Sequence, residues 1–291
     1  MVANYGTQGA PGSTLTLIDV AEAKVLDTID LGTHRRPHGI AWLPDGRRVA
    51  VTAEESKALL LVDADDARVL STIGTGQDVS HMVQLSSDGR RAYVANIGSG
   101  SISVLDLAAG AQAKTIPTGA GAEGIALTPS GRELWVTNRE ADTLSVIDTR
   151  KLEIVKTLPS ASFPIRTAVT VDGRSVLVSN ARSGEVALFD AHSKIERRRL
   201  AMKLDAASAE GRLFGDQFGA SPVPIGIQVH PDGRRAYVAN AHADVVAIID
   251  LERFAVIGVL RAGKEPDGMA YSPFQVRTPG TSGKEAKTPG S

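Results

Sequence analysis

The chain of 291 residues carries 32 basic and 33 acidic side chains, and a net charge of −1 gives it no whole-protein field for capturing nucleic acid or an anionic membrane. With 42% hydrophobic residues it can bury a sizeable core, and without cysteine it can form no disulfide, thiolate metal site or cysteine nucleophile. No apolar run approaches the roughly 18–20 residues of a membrane helix, and six Phe, four Tyr and two Trp are too few for an extended base-stacking surface.

The opening stretch MVANYGTQG is polar and reads as a strand and turn, not as a signal peptide. VANYG, TLTLID and KVLDTID, within residues 2–30, read as three strands. A four-strand unit then recurs. Its marker is a PDG-type turn at 44–46, 87–89, 129–131, 171–173 and 231–233, with steps of 43, 42, 42 and 60. Pro273 stands 42 beyond Pro231, so the period is 42 with one insertion of about 18 residues. Asn96, Asn138, Asn180 and Asn240 each precede an aspartate by ten residues, namely Asp106, Asp148, Asp190 and Asp250. Ala53 and Asp63 keep that spacing without the asparagine.

Within the unit at 124–158 the strands are GIALTP, ELWVTN, TLSVID and IVKTL, alternating and β-branched, with Gly, Asp, Asn and Pro between them. Four short strands per unit of this length predict an all-β fold, a β-propeller of four-stranded blades. Six blades are visible. The N-terminus supplies three strands, and DGMAYSP at 267–273 supplies the first strand of the same blade, so residues 1–273 are expected to close as one ring. Recurring glycines beside the axis are expected to permit close approach. The asparagines and aspartates are expected to bond backbone at turns. IERRRL at 195–200 aligns with an outermost strand, where charge discourages edge pairing.

The repeated YVAN and WVTN strands, with VSVID-like strands and PDGRRAYVAN, resemble the YVTN family of β-propeller repeat proteins over residues 2–273. The resemblance implies a bacterial protein, exported or periplasmic. Family members commonly have seven blades and a signal sequence, so two readings stay open: a true six-bladed ring, or a seven-bladed member lacking one blade. Related propellers include haem d1 domains and lactonase-type enzymes.

The residues leading into the inner strands vary where the rest of the repeat does not. One position reads His38, His81, Glu123, Ile165, Ile225 and Asp267, and the next includes Arg166. His38, His81, Glu123, Arg166 and Asp267 are therefore the candidate ligand-binding residues at a polar channel mouth. As rim residues, the two histidines are expected to be removable without loss of fold. The 201–219 insertion falls on the same face, with Arg212, Phe214, Asp216 and Phe218 as a candidate lid. The tail 274–291, rich in Gly, Pro, Ser and Lys, is expected to be disordered.

There is no P-loop and no G-x-S-x-G elbow, so no catalytic residue is assigned, and no metal or cofactor is expected. The reading is a monomeric, non-catalytic binding or scaffold propeller of the cell envelope, whose partner is a small polar ligand or a protein and not nucleic acid. The alternatives are a lactonase-like or metal-assisted hydrolase and a haem- or redox-associated propeller.

Overall fold

The computed structural model describes residues 1–7, 9–206 and 210–276, and the expected disordered tail falls largely outside them. The strands form six antiparallel sheets, each from strands consecutive in sequence. Blade 1 comprises Val2–Gly6, Pro11–Asp19 and Lys24–Asp30. Blade 2 comprises Pro37–Trp42, Arg48–Ala53, Ala58–Asp63 and Arg68–Gly74; blade 3 comprises Ser80–Leu85, Arg91–Asn96, Ser101–Asp106 and Ala111–Pro117. Blade 4 comprises Ala122–Leu127, Glu133–Asn138, Thr143–Asp148 and Glu153–Pro159. Blade 5 comprises Pro164–Val169, Ser175–Asn180, Glu185–Asp190 and Ile195–Ala201; blade 6 comprises Pro224–Val229, Arg235–Asn240, Val245–Asp250 and Ala255–Arg261. Among the described residues the one helix is a 3-10 turn, Gly215–Phe218, inside the insertion. The fold is the six-bladed β-propeller that the 42-residue period predicts.

The first strands of blades 2 to 6 lie side by side and form the inner ring. Each blade has two apolar faces. Tyr93, Ile102, Val104 and Ile116 of blade 3 pack on Leu134, Val136 and Ile147 of blade 4. Trp135, Leu144, Val146 and Leu158 of blade 4 pack on Val176, Val178 and Phe189 of blade 5 in the same register. Equivalent clusters join blades 1 and 2, 2 and 3, and 5 and 6. The aspartate closing each third strand accepts backbone N–H bonds from residues two or three further on, as Asp106, Asp148 and Asp190 do. The asparagines bond nearby backbone as expected at Asn96, which donates to the Ser101 carbonyl, and at Asn240, which donates to the Val238 carbonyl, and two of the four also reach hydroxyls. Asn96 donates across the hairpin to the Ser101 and Ser103 hydroxyls, and Asn138 to those of Thr143 and Ser145.

Two backbone devices aim the inner ring. Two residues before each ring position the chain turns left-handed, at Arg36, Val79, Gly121, Phe163, Val223 and Glu265. A register shift then follows in every complete blade, for instance between Ala122 and Ile125. Such bulges redirect side chains out of the ladder. They also bring the next blade's backbone close. A Cβ on Gly39 or Gly124 would lie 2.6 Å from the carbonyl oxygen of His81 or Ile165, and one on Gly226 would strike that of Asp267, so only glycine fits.

The expected closing strand is a correction. Residues 267–273 follow the path of a sixth inner strand, with Asp267 against Gly226 and the Tyr271 ring 5.0 Å from that of His230. They pair with no strand, and blade 1 remains three-stranded. A strand needs a regular neighbour to pair with, and the facing strand Val2–Gly6 is five residues long with its own register shift between Asn4 and Gly6. Blade 6 accordingly keeps an uncovered face. Tyr237 and Val246 are half-buried where Tyr93, Trp135, Ile102 and Leu144 are buried, and Leu260 is 50% exposed where Leu158 is 5%.

This asymmetry gives a direct test in urea unfolding. Leu158→Ala is expected to cost about 2–5 kcal/mol as a buried truncation, and the repeat-equivalent Leu260→Ala about 0.5 kcal/mol or less.

Candidate functional site at the channel mouth

The bulges and left-handed turns deliver His38, His81, Glu123, Arg166 and Asp267 to one rim, where they connect into a network. Arg166 donates to Glu123 Oε1, and Arg139 donates to Glu123 Oε2 at 2.5 Å. Arg166 Nη2 also lies 3.4 Å from His81 Nε2 and 3.7 Å from Asp267 Oδ2. His81 Nδ1 is bound to Glu54 Oε1 at 2.5 Å, and the Tyr5 hydroxyl donates to Glu54 Oε2 at 2.7 Å. His38 stacks on His81 with ring centroids 3.5 Å apart and 27° between planes, and meets the Tyr5 ring edge-on.

Glu123 is 2% exposed, so its charge depends on its neighbours. Burial opposes ionisation, but Arg166 first and then His81 and Arg139 hold its carboxyl well below the usual carboxylate range. Burial likewise opposes the Arg166 charge, and the carboxylates of Glu123 and Asp267 outweigh it and raise its pKa. The two imidazoles diverge. Burial, then the His81 and Arg166 charges, hold His38 well below 6.5. Burial also works against charge on His81, but its hydrogen bonds with Glu123 and Glu54 prevail and raise it above 6.5.

Three of the residues in this network escaped the sequence reading: Tyr5, Glu54 and Arg139. A signal for them exists. They follow the strand-ending asparagine position, which reads Tyr5, Glu54, Ile97, Arg139, Ala181 and Ala241 around the ring. That position is polar in blades 1, 2 and 4 and apolar in blades 3, 5 and 6. The apolar half of the mouth is Phe163, Ile165, Ala181, Phe218, Val223, Ile225 and Ala241.

The insertion covers this apolar half. Phe214 and Phe218 pack on Phe163 at centroid distances of 5.5 and 4.8 Å. Arg212 does not reach the polar network but forms a two-point ion pair with Asp244 of blade 6, each contact 2.7 Å, and Asp216 faces solvent. His242 Nε2 donates to the Leu213 carbonyl at 2.6 Å, tying the insertion down further. The Arg139 guanidinium sits 5.2 Å over the Phe163 ring, so one side chain touches both halves.

His81 is more deeply set than a solvent-facing rim residue. It is 9% exposed, and its removal would leave the Glu54 carboxylate without its imidazole partner in a buried setting. Three polar atoms of this network are buried and unpartnered among the described residues: His38 Nδ1, Asp267 Oδ1 and Arg139 Nε. Among the same residues no three His, Asp or Glu side chains are grouped so as to hold a metal ion.

Comparison with known proteins places the fold among propellers. Residues 45–170 match the family model described as the cytochrome D1 heme domain. Hydrazine synthase from Kuenenia stuttgartiensis superposes with a TM-score of 0.73 at 19% identity, covering 88% of this chain and 82% of that one. A candidate 6-phosphogluconolactonase from Bacteroides uniformis superposes with a TM-score of 0.74 at 17% identity, covering 94% and 85%. Comparison with curated proteins gives no match. At these identities the likeness is one of fold.

The matched segment implies a haem, and the mouth does not fit one. His81 is the single histidine within residues 45–170, and its nitrogens face Glu54 on one side and Arg166 and Glu123 on the other. The His38–His81 stack leaves no slot for a macrocycle between the rings.

The opposed imidazoles yield a pH prediction. His81, raised in the folded state, contributes stability below about pH 6.5 that fades as pH rises through its folded pKa. His38, depressed, contributes stability above about pH 6.5 that fades as pH falls. The wild type is therefore expected to melt highest at about pH 6.5, losing stability on the acid side through His38 and on the alkaline side through His81, and thermal melting of His38→Gln is expected to keep the alkaline loss and flatten the acid one. Separately, Glu123→Gln strands two guanidinium groups and is expected to cost about 3–5 kcal/mol in denaturant titration.

Proposed function

We propose that this chain is a non-catalytic binding or scaffold propeller of the YVTN-repeat kind that holds a small polar ligand at its channel mouth. The observation that carries this is the set of buried, unpartnered polar atoms in and beside the network, the acceptors His38 Nδ1 and Asp267 Oδ1 and the donor Arg139 Nε. Buried polar atoms lacking partners are uncommon in folded proteins, and a ligand that bonded them would remove the penalty. A place in the bacterial cell envelope belongs to the same proposal and rests on the repeat resemblance.

A lactonase-like hydrolase is the second reading, favoured by the 2.5 Å Glu54–His81 contact and by the candidate lactonase among the structural neighbours. A carboxylate-oriented imidazole is how a general base is built. Against it, His81 Nε2 faces Arg166 and Glu123, which leaves no free lone pair directed at a substrate. The structural neighbours extend to this chain only as propellers.

A thermal-shift panel of small polar compounds, run beside a lactone-hydrolysis assay, tests the proposal. Binders are expected to raise the melting temperature of the wild type, to lose most of that effect in the His38→Ala, Asp267→Asn double variant, and to undergo no turnover. Hydrolysis above background that is lost in His81→Gln would replace the binding reading with the enzymatic one.

A further inference from the structure

A sheet edge offers unpaired N–H and C=O groups to any strand that can approach it, and charged side chains are the usual guard against such pairing. Each blade here ends in an outer strand that pairs on one side only. The fourth residue of these seven-residue strands is exposed in blades 1 to 5 and reads Asp27, Ser71, Lys114, Lys156 and Arg198. In blade 6 it is Gly258, and Ala255 to Leu260 carry no polar side chain. Ile257 and Val259, which flank it, are each 51% exposed. The fold itself does not require this glycine. A Cβ at 258 would meet only Ile248, at an ordinary 3.7 Å, and the backbone there is not left-handed. A strand glycine without an internal cause suits the close approach of another backbone. The bulge in each outer strand, which falls at Ile257 in blade 6, is common to all six and does not distinguish them.

We infer that Ala255–Arg261 is a docking edge for the same strand of a second copy, the two pairing antiparallel about a two-fold axis near Gly258 so that both blade 6 sheets join into one sheet of eight strands. Self-complementarity selects this occupant. Antiparallel pairing about the fourth residue sets that residue against its own copy. It would oppose two lysines at blade 3 or blade 4, two arginines at blade 5 and two aspartates at blade 1, and like charges directly opposite are destabilising. Blade 2 has no charge there but would have to desolvate the exposed Ser71 and Thr72 hydroxyls. At blade 6 two glycines meet, with Ile257 and Val259 of each copy beside them, and the two Arg261 side chains stay at opposite ends of the ladder. Residues 277–291 offer no competing strand, since they include no aromatic or branched aliphatic residue. The two-fold pairing uses up both free edges, so assembly stops at a dimer in place of the expected monomer. Each outer strand runs toward the mouth face, so reversing one against the other points the two mouths to opposite sides and leaves both open.

Sedimentation equilibrium of the full chain over a concentration series tests this, and a monomer–dimer equilibrium is expected. Gly258→Lys, which introduces the side chain found at blades 3 and 4, is expected to raise the dimer dissociation constant roughly tenfold or more with little change in melting temperature. Val259→Lys is expected to do the same, whereas Thr157→Lys, at the equivalent place in blade 4, is expected to leave the constant unchanged. The chain has no cysteine, so Gly258→Cys carries a single thiol, and mild oxidation is expected to join two copies through it but not through Lys156→Cys. A chain that stays monomeric at the highest attainable concentration overturns the inference. So does a dimer that both lysine variants leave intact, or one in which Gly258→Cys fails to cross-link. An open-ended series of oligomers would also overturn it, by assigning association to the uncovered face of blade 6.

Discussion

A four-stranded antiparallel sheet with two apolar faces cannot cover either of them alone, and packing each blade on the next is the constraint from which the rest of this structure follows. The contact is made in one register throughout: Tyr93, Ile102 and Ile116 face blade 4 as Trp135, Leu144 and Leu158 face blade 5. Because the blades must converge at the axis, their inner strands approach until backbone meets backbone. Glycine at 39, 124 and 226 is the consequence, since a side chain there would collide with the neighbouring carbonyl. Where the series ends, on the outer side of blade 6, the same apolar positions stand partly open.

That convergence also makes the site. The left-handed residue and bulge that begin each inner strand turn one side chain per blade toward the mouth, whatever its chemistry. The scaffold therefore repeats while the lining does not. On one side the positions hold His38, His81 and Glu123 with Glu54 and Arg139; on the other they hold Ile165 and Ile225 with Ala181 and Ala241. A polar network and an apolar cluster share one opening, and the insertion seals the apolar part. Eight side chains from separate stretches of chain contribute to the network, so its geometry is set by the rigid blades rather than by any one loop.

The fold was legible because its signal is redundant: a 42-residue period appears in turns, strand patterns and the Asn-to-Asp spacing alike. The first ring position was legible for the opposite reason, as variation within a repeat. Glu54, Arg139 and Tyr5 went unread because the position after a recurring asparagine looked like the start of a turn, and only the structure shows that it points inward. The burial of His81 was also out of reach, since a rim position by repeat register becomes an interior one once His38 stacks on it. The closing strand misled for a third reason. Residues 267–273 carry the inner-strand pattern and follow its path, but a strand also needs a partner ladder, and pattern alone does not reveal whether one forms.

The central claim is that the network around Glu123 forms a preorganised mouth whose open acceptors lie at His38 and Asp267. Crystallographic soaking of the full chain with a library of small polar fragments examines it most directly. The account predicts fragment density bonded to Asp267 Oδ1 and His38 Nδ1, with the Arg166–Glu123 and Glu54–His81 pairs intact. Fragments confined to the outer edge of the blades over a bare mouth, or fragments that draw Arg166 away from Glu123, would contradict it.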